Sequence, residues 1–116
     1  MKSSIIVPVQ DPTPFSPFSP EDGLEINLAR VSEAGYDGVE LAITNPGRID
    51  IAKVKKLLKQ YNLVMPAITT GQAYGIEGLS LTSSDKEIRD RAISRIKEHI
   101  RLAQEFGAVV IVGLLR

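Results

Sequence analysis

The sequence has no cysteine, no long run of apolar residues and no excess of one charge. Without cysteine there are no disulfides and no thiolate metal sites. The cysteine count therefore does not show whether the protein works in an oxidising or a reducing compartment. The 14 basic residues balance the 14 acidic ones, so we expect neither nucleic acid nor an anionic membrane as a partner. The apolar run at residues 5–7 is too short for a signal peptide or a membrane span, so we expect a cytoplasmic protein.

Glycine is missing where a nucleotide-binding fold would need it. The β-branched residues 5–7 predict a buried strand that ends at Pro8. A doubly wound nucleotide-binding domain normally has a glycine-rich phosphate turn directly after its first strand. Here residues 8–12 read PVQDP instead. This composition disfavours a dinucleotide-binding domain.

Three segments have the spacing of helices with one apolar face. The first is predicted to begin at Pro20, behind a capping Ser19, and to end at Gly35. The second is predicted to begin after Asp50, whose side chain can cap it. The third is predicted to follow the capping box at residues 84–87, in which Ser and Glu side chains satisfy orphaned backbone N–H groups. Each helix thus has its own start signal.

Strands alternate with these helices. Besides residues 5–7, we predict strands at residues 39–43, 64–69 and 108–115, with a long loop after the third. The order βαβαβαβ makes an α/β fold of four parallel strands and three helices, because strands joined by crossover helices run parallel. Two folds satisfy this order, a small doubly wound sheet and part of a (βα)₈ barrel. Long loops after strands and tight turns before them favour the barrel.

Three stretches carry a family resemblance: GYDGVELAI (residues 35–43), TTGQAYGIEGLSLTSSDKEIRDRAI (69–93) and LAQEFGAVVIVGLLR (102–116). They resemble the xylose-isomerase-like TIM-barrel superfamily of sugar isomerases and epimerases, the AP endonuclease family 2 type. The second stretch is similar to the branch of 5-keto-L-gluconate and other ketose epimerases. The resemblance implies that residues 1–116 form one half-barrel domain, the amino-terminal half of a (βα)₈ TIM barrel of roughly 270 residues.

The resemblance also implies a metal-dependent isomerase. Epimerases of this kind hold a divalent cation (Mn²⁺, Mg²⁺ or Co²⁺) with two glutamates, an aspartate and a histidine on later strands. The cation acidifies a C–H group beside a carbonyl, and carboxylates move the proton. None of those positions falls within residues 1–116, so we expect no catalytic residue, no metal ligand and no activity in this chain alone. The metal-binding histidines of the endonuclease branch are replaced here by residues 69–72 and 114–116, which argues against a DNA-repair site.

The loop after the third strand provides the first candidates for substrate binding. Thr70, Gln72 and Tyr74 place a hydroxyl, an amide and a phenol within five residues. Neutral donors and acceptors beside an aromatic ring suit a sugar or sugar acid. We therefore predict that these three side chains contact a small-molecule substrate.

Glu40 and Arg116 complete the predicted substrate-binding set. A charge inside an apolar strand needs a partner, so Glu40 either bonds a sugar hydroxyl or pairs with a neighbour such as Arg116. Arg116, at the end of the fourth predicted strand, could bind a carboxylate or keto oxygen through two hydrogen bonds. Both assignments for Glu40 stay open on the sequence alone.

Three further side chains, one histidine and two phenylalanines, are of types that often occur in functional sites. His99 is the only histidine, but no Asp, Glu or His lies one turn away on the same face, so we expect a packing role and not metal binding. Phe15 and Phe18 either cap the site as a lid or fold down onto the helices. Of the two alternatives, we favour packing onto the helices.

Three functions follow from these observations. The leading one is half of a metal-dependent ketose epimerase or isomerase. The second is a complete binding or assembly module that pairs with itself, because the first and fourth strands would otherwise be exposed edges. The third is a flavodoxin-like domain that binds a small ligand.

Overall fold

The computed structural model describes residues 2–116 and consists of a parallel sheet with helices on one face. The strands are β1 (Ser4–Pro8), β2 (Gly38–Ala42), β3 (Val64–Thr69) and β4 (Val109–Ile111). The α-helices are α1 (Leu24–Glu33), α2 (Ile51–Gln60), α3 (Gly71–Glu77) and α4 (Lys86–Gln104). Short 3-10 helices span Pro20–Asp22, Pro46–Arg48 and Gly113–Leu115.

The strands stand side by side in chain order, β1-β2-β3-β4, and all neighbours are parallel. In a doubly wound sheet the order reverses at a switch point, with later strands added on both sides of the first. Sequential order is that of a barrel. The structure therefore confirms the α/β half-barrel and excludes the flavodoxin-like alternative.

The two faces of the sheet differ in what covers them. The row Val7, Leu41 and Ile68 is fully buried beneath the helices, and Val110 packs at its end. The helices contribute Leu28, Val31, Val54, Leu57, Leu58, Leu102 and Ala103 to this core. The alternate row Ile6, Glu40, Ala67 and Val109 lies on the other face, which would be the interior of a closed barrel.

The predicted helix starts are largely confirmed, with two corrections. Asp50 caps α2 by accepting a hydrogen bond from the Lys53 backbone N–H, as predicted. Ser19 instead caps the 3-10 helix, because Gly23 at φ +90° interrupts the chain before α1. At α4 the cap is Asp85, which accepts from the Glu87 N–H at 2.9 Å, and not the Ser of the predicted capping box. Aspartate is an equally good cap.

Helix α3 lies inside the segment predicted to be a loop. Its glycines weaken helix formation, so the sequence pattern gave no reason to expect it. Tertiary packing stabilises it: the buried Ala73 and Leu79 join Ala92 and Leu115 in a second small core. The left-handed Gly78, at φ +69°, then ends the helix.

The last strand is shorter than predicted. The sequence predicts a strand over residues 108–115, but only Val109–Ile111 pair with β3. Gly113 has φ +53°, which turns the chain into a 3-10 helix. The turn carries Leu115 into the second core, where it is fully buried, and the Leu115 carbonyl accepts from the Leu81 N–H at 2.8 Å.

Candidate active-site pocket

A pocket of 480 Å³ lies at the carboxyl ends of the strands, on the uncovered face of the sheet. A volume of this size accommodates a small organic molecule. A larger open groove of 640 Å³ runs along α4, but no residue of a β-strand lines it. The smaller pocket is lined by Ile6, Pro12, Thr13, Pro14, Phe15, Ala42, Thr69, Thr70, Gly71, Gln72, Gly75, Ile76, Ile111, Gly113 and Leu114.

Thr70 lines this pocket but is fully buried. Its hydroxyl lies 2.8 Å from the Ile111 carbonyl oxygen and 2.7 Å from that of Val112. The single hydroxyl hydrogen can be donated to only one of them at a time. Thr70 therefore joins the end of β3 to the end of β4 and fixes the shape of the pocket floor.

Gln72 also lines the pocket, and its amide holds the loop after β1 in place. Its Nε2 group donates to the Asp11 carbonyl, with a second contact of 3.3 Å to the Pro12 carbonyl. The Thr44 hydroxyl, at the end of β2, donates to the Asp11 carboxylate at 2.5 Å. These bonds join the loops after β1, β2 and β3 into one polar network.

A second amide supports the same loop. Gln10 donates from Nε2 to the Asn45 carbonyl and accepts from the Asn45 N–H, both at 2.8 Å. These two hydrogen bonds continue the pattern of backbone bonds between β1 and β2 past the ends of the strands. Sequence reasoning missed both Gln10 and Asp11, although their place directly after a predicted strand was a usable signal.

The other predicted binding residues lie apart from the pocket lining. Glu40 is half-buried on the uncovered face of the sheet, and within residues 2–116 its carboxylate has no hydrogen bond or ion pair. The proposed Glu40–Arg116 pair is thus not formed in the described part of the chain. Tyr74 is 47% exposed on α3, and Arg116 is exposed, with its backbone carbonyl accepting from Ser80 at 3.0 Å.

Each of the two phenylalanines takes a different one of the two predicted positions. Phe15 is 69% exposed and lines the pocket, as a lid residue would. Phe18 is half-buried and packs against the main core. Thr69 lines the pocket from the end of β3, and no hydrogen bond of its hydroxyl is found in the described chain. Its hydroxyl is therefore available to a ligand.

Helix α4 supports the pocket from behind. The ring of His99 is fully buried, with Nε2 2.7 Å from the Ile43 carbonyl oxygen, so it has the predicted packing role. Arg95 donates from Nη1 to the Thr44 carbonyl at 2.8 Å and lies 2.8 Å from the Glu77 carboxylate. The carboxyl end of β2 is therefore fixed to α4, and α3 is fixed to the same arginine.

A metal centre does not fit the residues present. Within residues 2–116, no group of three or more His, Asp or Glu side chains is arranged to hold a metal ion. The same part of the chain has no helix both long enough and apolar enough to cross a membrane.

Fold and pocket together define a class of protein. The model of the xylose isomerase-like TIM barrel family matches residues 28–115, so the chain belongs to that family. The chain is 28% identical over 101 residues to L-ribulose 3-epimerase of Mesorhizobium japonicum and 29% identical over 92 residues to L-ribulose 3-epimerase of a Methylomonas species. These matches cover 87% and 76% of the chain but only 33% and 29% of the relatives. The chain therefore spans about a third of their length.

Solved structures give the same result for the fold. A crystal structure of D-allulose 3-epimerase from Methylomonas sp. in complex with D-allulose matches with a TM-score of 0.62 at 27% identity, over 75% of this chain and 29% of that chain. An AP endonuclease, family 2, from Brucella melitensis matches with a TM-score of 0.56 at 19% identity, over 93% of this chain and 38% of that one. The second likeness concerns the fold alone.

The loop network leads to a first testable expectation. Replacing Gln72 with methionine keeps the length of the side chain but removes its amide, leaving the Asp11 and Pro12 carbonyls without this donor. We expect faster hydrogen–deuterium exchange in residues 10–18, with a loss of roughly 1–3 kcal/mol in local stability. The matched control is Gln60→Met at the exposed end of α2. Equal exchange in both variants would show that the amide does not hold the loop.

Proposed function

We propose that this chain is the amino-terminal half of a ketose epimerase or isomerase and supplies one wall of its sugar pocket. The main support for this proposal is the 480 Å³ pocket at the strand ends, which has polar side chains on its floor and apolar ones around its mouth. Curated relatives of the chain are L-ribulose 3-epimerases. The substrate class is a ketose or keto-sugar acid, and a cytoplasmic location stays a prediction from the sequence.

The chain's own residues position the substrate in this proposal. Thr69 offers a free hydroxyl, Phe15 shields the mouth, and the networks of Thr70 and Gln72 keep the floor rigid. Preorganised walls of this kind lower the entropic cost of binding. Glu40, Tyr74 and Arg116 join the contacts only if other parts of the barrel bring the substrate to them.

Proton transfer is assigned to residues outside this chain. The relatives' fold places strand ends from the whole barrel around one site, and about two thirds of their length has no counterpart here. We propose that the full-length enzyme depends on a divalent cation, with its ligands and its acid and base on the remaining strands. Among residues 2–116, no group of three or more His, Asp or Glu side chains is arranged to hold a cation.

Turnover tests this division of roles. The purified, mass-verified 116-residue chain is expected to show no epimerisation of D-allulose or L-ribulose with Mn²⁺, Mg²⁺ or Co²⁺ added. Product formation is followed by chromatography, with a full-length epimerase as the positive control. Any turnover that scales with the concentration of the chain would refute the assignment.

Binding tests the pocket itself. In backbone NMR spectra, D-allulose is expected to shift the resonances of Thr69, Gly71 and Ile111, which line the pocket. We expect weak affinity, because this chain supplies only one wall of the proposed site. The variant Thr69→Val should reduce these shifts, whereas Thr82→Val, at an exposed loop position, should not. Shifts that are absent, or that both variants weaken equally, would remove the pocket from the proposal.

A further inference from the structure

The wall that this chain gives to the pocket is mainly apolar. Within the described chain, no side chain of Lys, Arg, His, Asp or Glu lines the pocket. Ile6 and Ala42 line it from the strands, and Phe15 and Ile76 line it from the loop after β1 and from α3. The last two are 69% and 56% exposed, and exposed apolar side chains around a cavity are typical of ligand-binding grooves. Phe15 and Ile76 are here called the apolar rim.

Few polar side-chain groups of this wall are free for a ligand. The hydroxyl of the buried Thr70 lies between two carbonyl groups of the chain, and the Gln72 amide nitrogen is directed at two others. The Thr13 hydroxyl oxygen accepts from the Phe15 N–H at 3.3 Å, which leaves its hydrogen free to be donated. The wall therefore offers a sugar mainly the hydroxyls of Thr13 and Thr69.

The charged side chains around the pocket disfavour an anionic group on the ligand. Glu40 is the register partner of Ile6 on the interior face, and within residues 2–116 it has no ion pair. A second pocket, of 240 Å³ beyond the ends of β1 and β2, holds Arg48 together with Asp11 and Glu77. That cation is outnumbered by two carboxylates. A phosphate or carboxylate against this wall would meet negative charge without a compensating cation.

The division of roles proposed above orients the substrate in this pocket. Because the acid and the base are assigned to other strands, the carbonyl and the neighbouring carbon of the ketose face away from this wall. The carbons farthest from the carbonyl then lie against it. In an open-chain ketohexose C4, C5 and C6 each carry a hydroxyl, one more than the two threonines can bind. At the apolar rim, the C6 hydroxyl would lose water without gaining a partner, which is unfavourable.

We infer that the preferred substrate is a neutral ketose that ends in a methyl group, a 6-deoxyketohexose, with this methyl group on the apolar rim. A methyl group gains free energy when it is buried against Phe15 and Ile76, and it needs no hydrogen-bond partner. The inference rests on the proposed function, because the orientation of the substrate follows from it. It narrows the substrate class from a ketose or keto-sugar acid to a deoxyketose.

A series of four ligands that differ only at C6 tests the inference. The ligands are 6-deoxy-D-allulose, D-allulose, D-allulose 6-phosphate and the acid with a carboxylate at C6. Their dissociation constants are measured by NMR titration of the 116-residue chain, followed at Thr69, Gly71 and Ile111. The 6-deoxy sugar is expected to bind at least about fivefold more tightly than D-allulose. Both anions are expected to bind at least about fivefold more weakly than D-allulose.

A cation on the apolar rim should reverse this order. Phe15→Lys changes an exposed side chain, so the fold is retained. We expect this variant to bind the 6-phosphate at least about tenfold more tightly than the unchanged chain does, and the 6-deoxy sugar less tightly. The matched control is Ile93→Lys, which adds the same charge at a 42% exposed position of α4 that does not line the pocket. It should leave all four dissociation constants unchanged.

The possible failures are distinguishable. If D-allulose binds as tightly as its 6-deoxy form, or if either anion binds more tightly than both neutral sugars, the inference is wrong and the sugar pocket stands. An equal gain in phosphate binding by the Phe15 and Ile93 variants shows general charge attraction and contradicts the placement of C6 on the rim. If none of the four ligands shifts the pocket resonances, the proposed function fails, and the inference fails with it.

Discussion

Replacing His99 with leucine is expected to lower the free energy of unfolding by about 2–4 kcal/mol. The imidazole is fully buried, and its Nε2 group lies 2.7 Å from the Ile43 carbonyl oxygen. Its Nδ1 atom lies 3.0 Å from the Arg95 carbonyl oxygen; because a carbonyl only accepts and a neutral ring has one N–H, the shorter contact assigns that N–H to Nε2. Leucine fills much of the same volume but leaves that carbonyl without its donor. Urea unfolding followed by far-ultraviolet circular dichroism measures the change.

Two further variants separate hydrogen bonding from packing at this position. His99→Gln retains an N–H donor on a long side chain, so it is expected to recover part of the loss. Lys97→Leu adds the same side chain at an exposed position of the same helix and should change stability by less than about 0.5 kcal/mol. If the leucine and glutamine variants are equally unstable, the bond to Ile43 contributes nothing measurable.

Replacing Gly38 with alanine is expected to cost roughly 1–3 kcal/mol. A Cβ atom at this position would lie 2.6 Å from the Val64 carbonyl oxygen and 2.8 Å from the Val64 Cγ2 atom. The first contact is with backbone, so the starts of β2 and β3 must move apart. The pairing of these strands is already irregular between Gly38 and Glu40, where the register shifts. The same urea experiment measures the loss.

Gly75 provides the matched control for this substitution. It lies in α3, and a Cβ atom there would meet no atom within 4 Å. Gly75→Ala is expected to leave stability unchanged or raise it by up to about 1 kcal/mol, because alanine favours a helix over glycine. Equal losses at the two positions would mean that the close approach to Val64 is relieved without cost.

The fold could be predicted from the sequence because its determinants are local. The Asp50 cap, the apolar spacing of α2 and the left-handed glycines at 35 and 107 are properties of short segments. Helix α3 and the early end of β4 could not be predicted in this way. Both depend on Leu115 meeting Ala73, Leu79 and Ala92, a packing between segments far apart in the chain.

The candidate site was predictable in location but not in detail. Polar residues after β3 pointed to this end of the sheet, and Thr70 and Gln72 line the pocket found there. Their hydrogen bonds join the loops after β1, β3 and β4, and only the three-dimensional structure reveals such partners. Thr69 was overlooked because it reads as the last residue of a strand, and which face it occupies depends on register.

The sequential order of the strands also bears on how the protein is made. Each new strand pairs with the one synthesised just before it, through a crossover of one helix. Contacts are therefore formed mainly between successive units, and the loop closed at each step is short. The sheet can grow from β1 to β4 while the chain leaves the ribosome, each strand adding to an edge already in place.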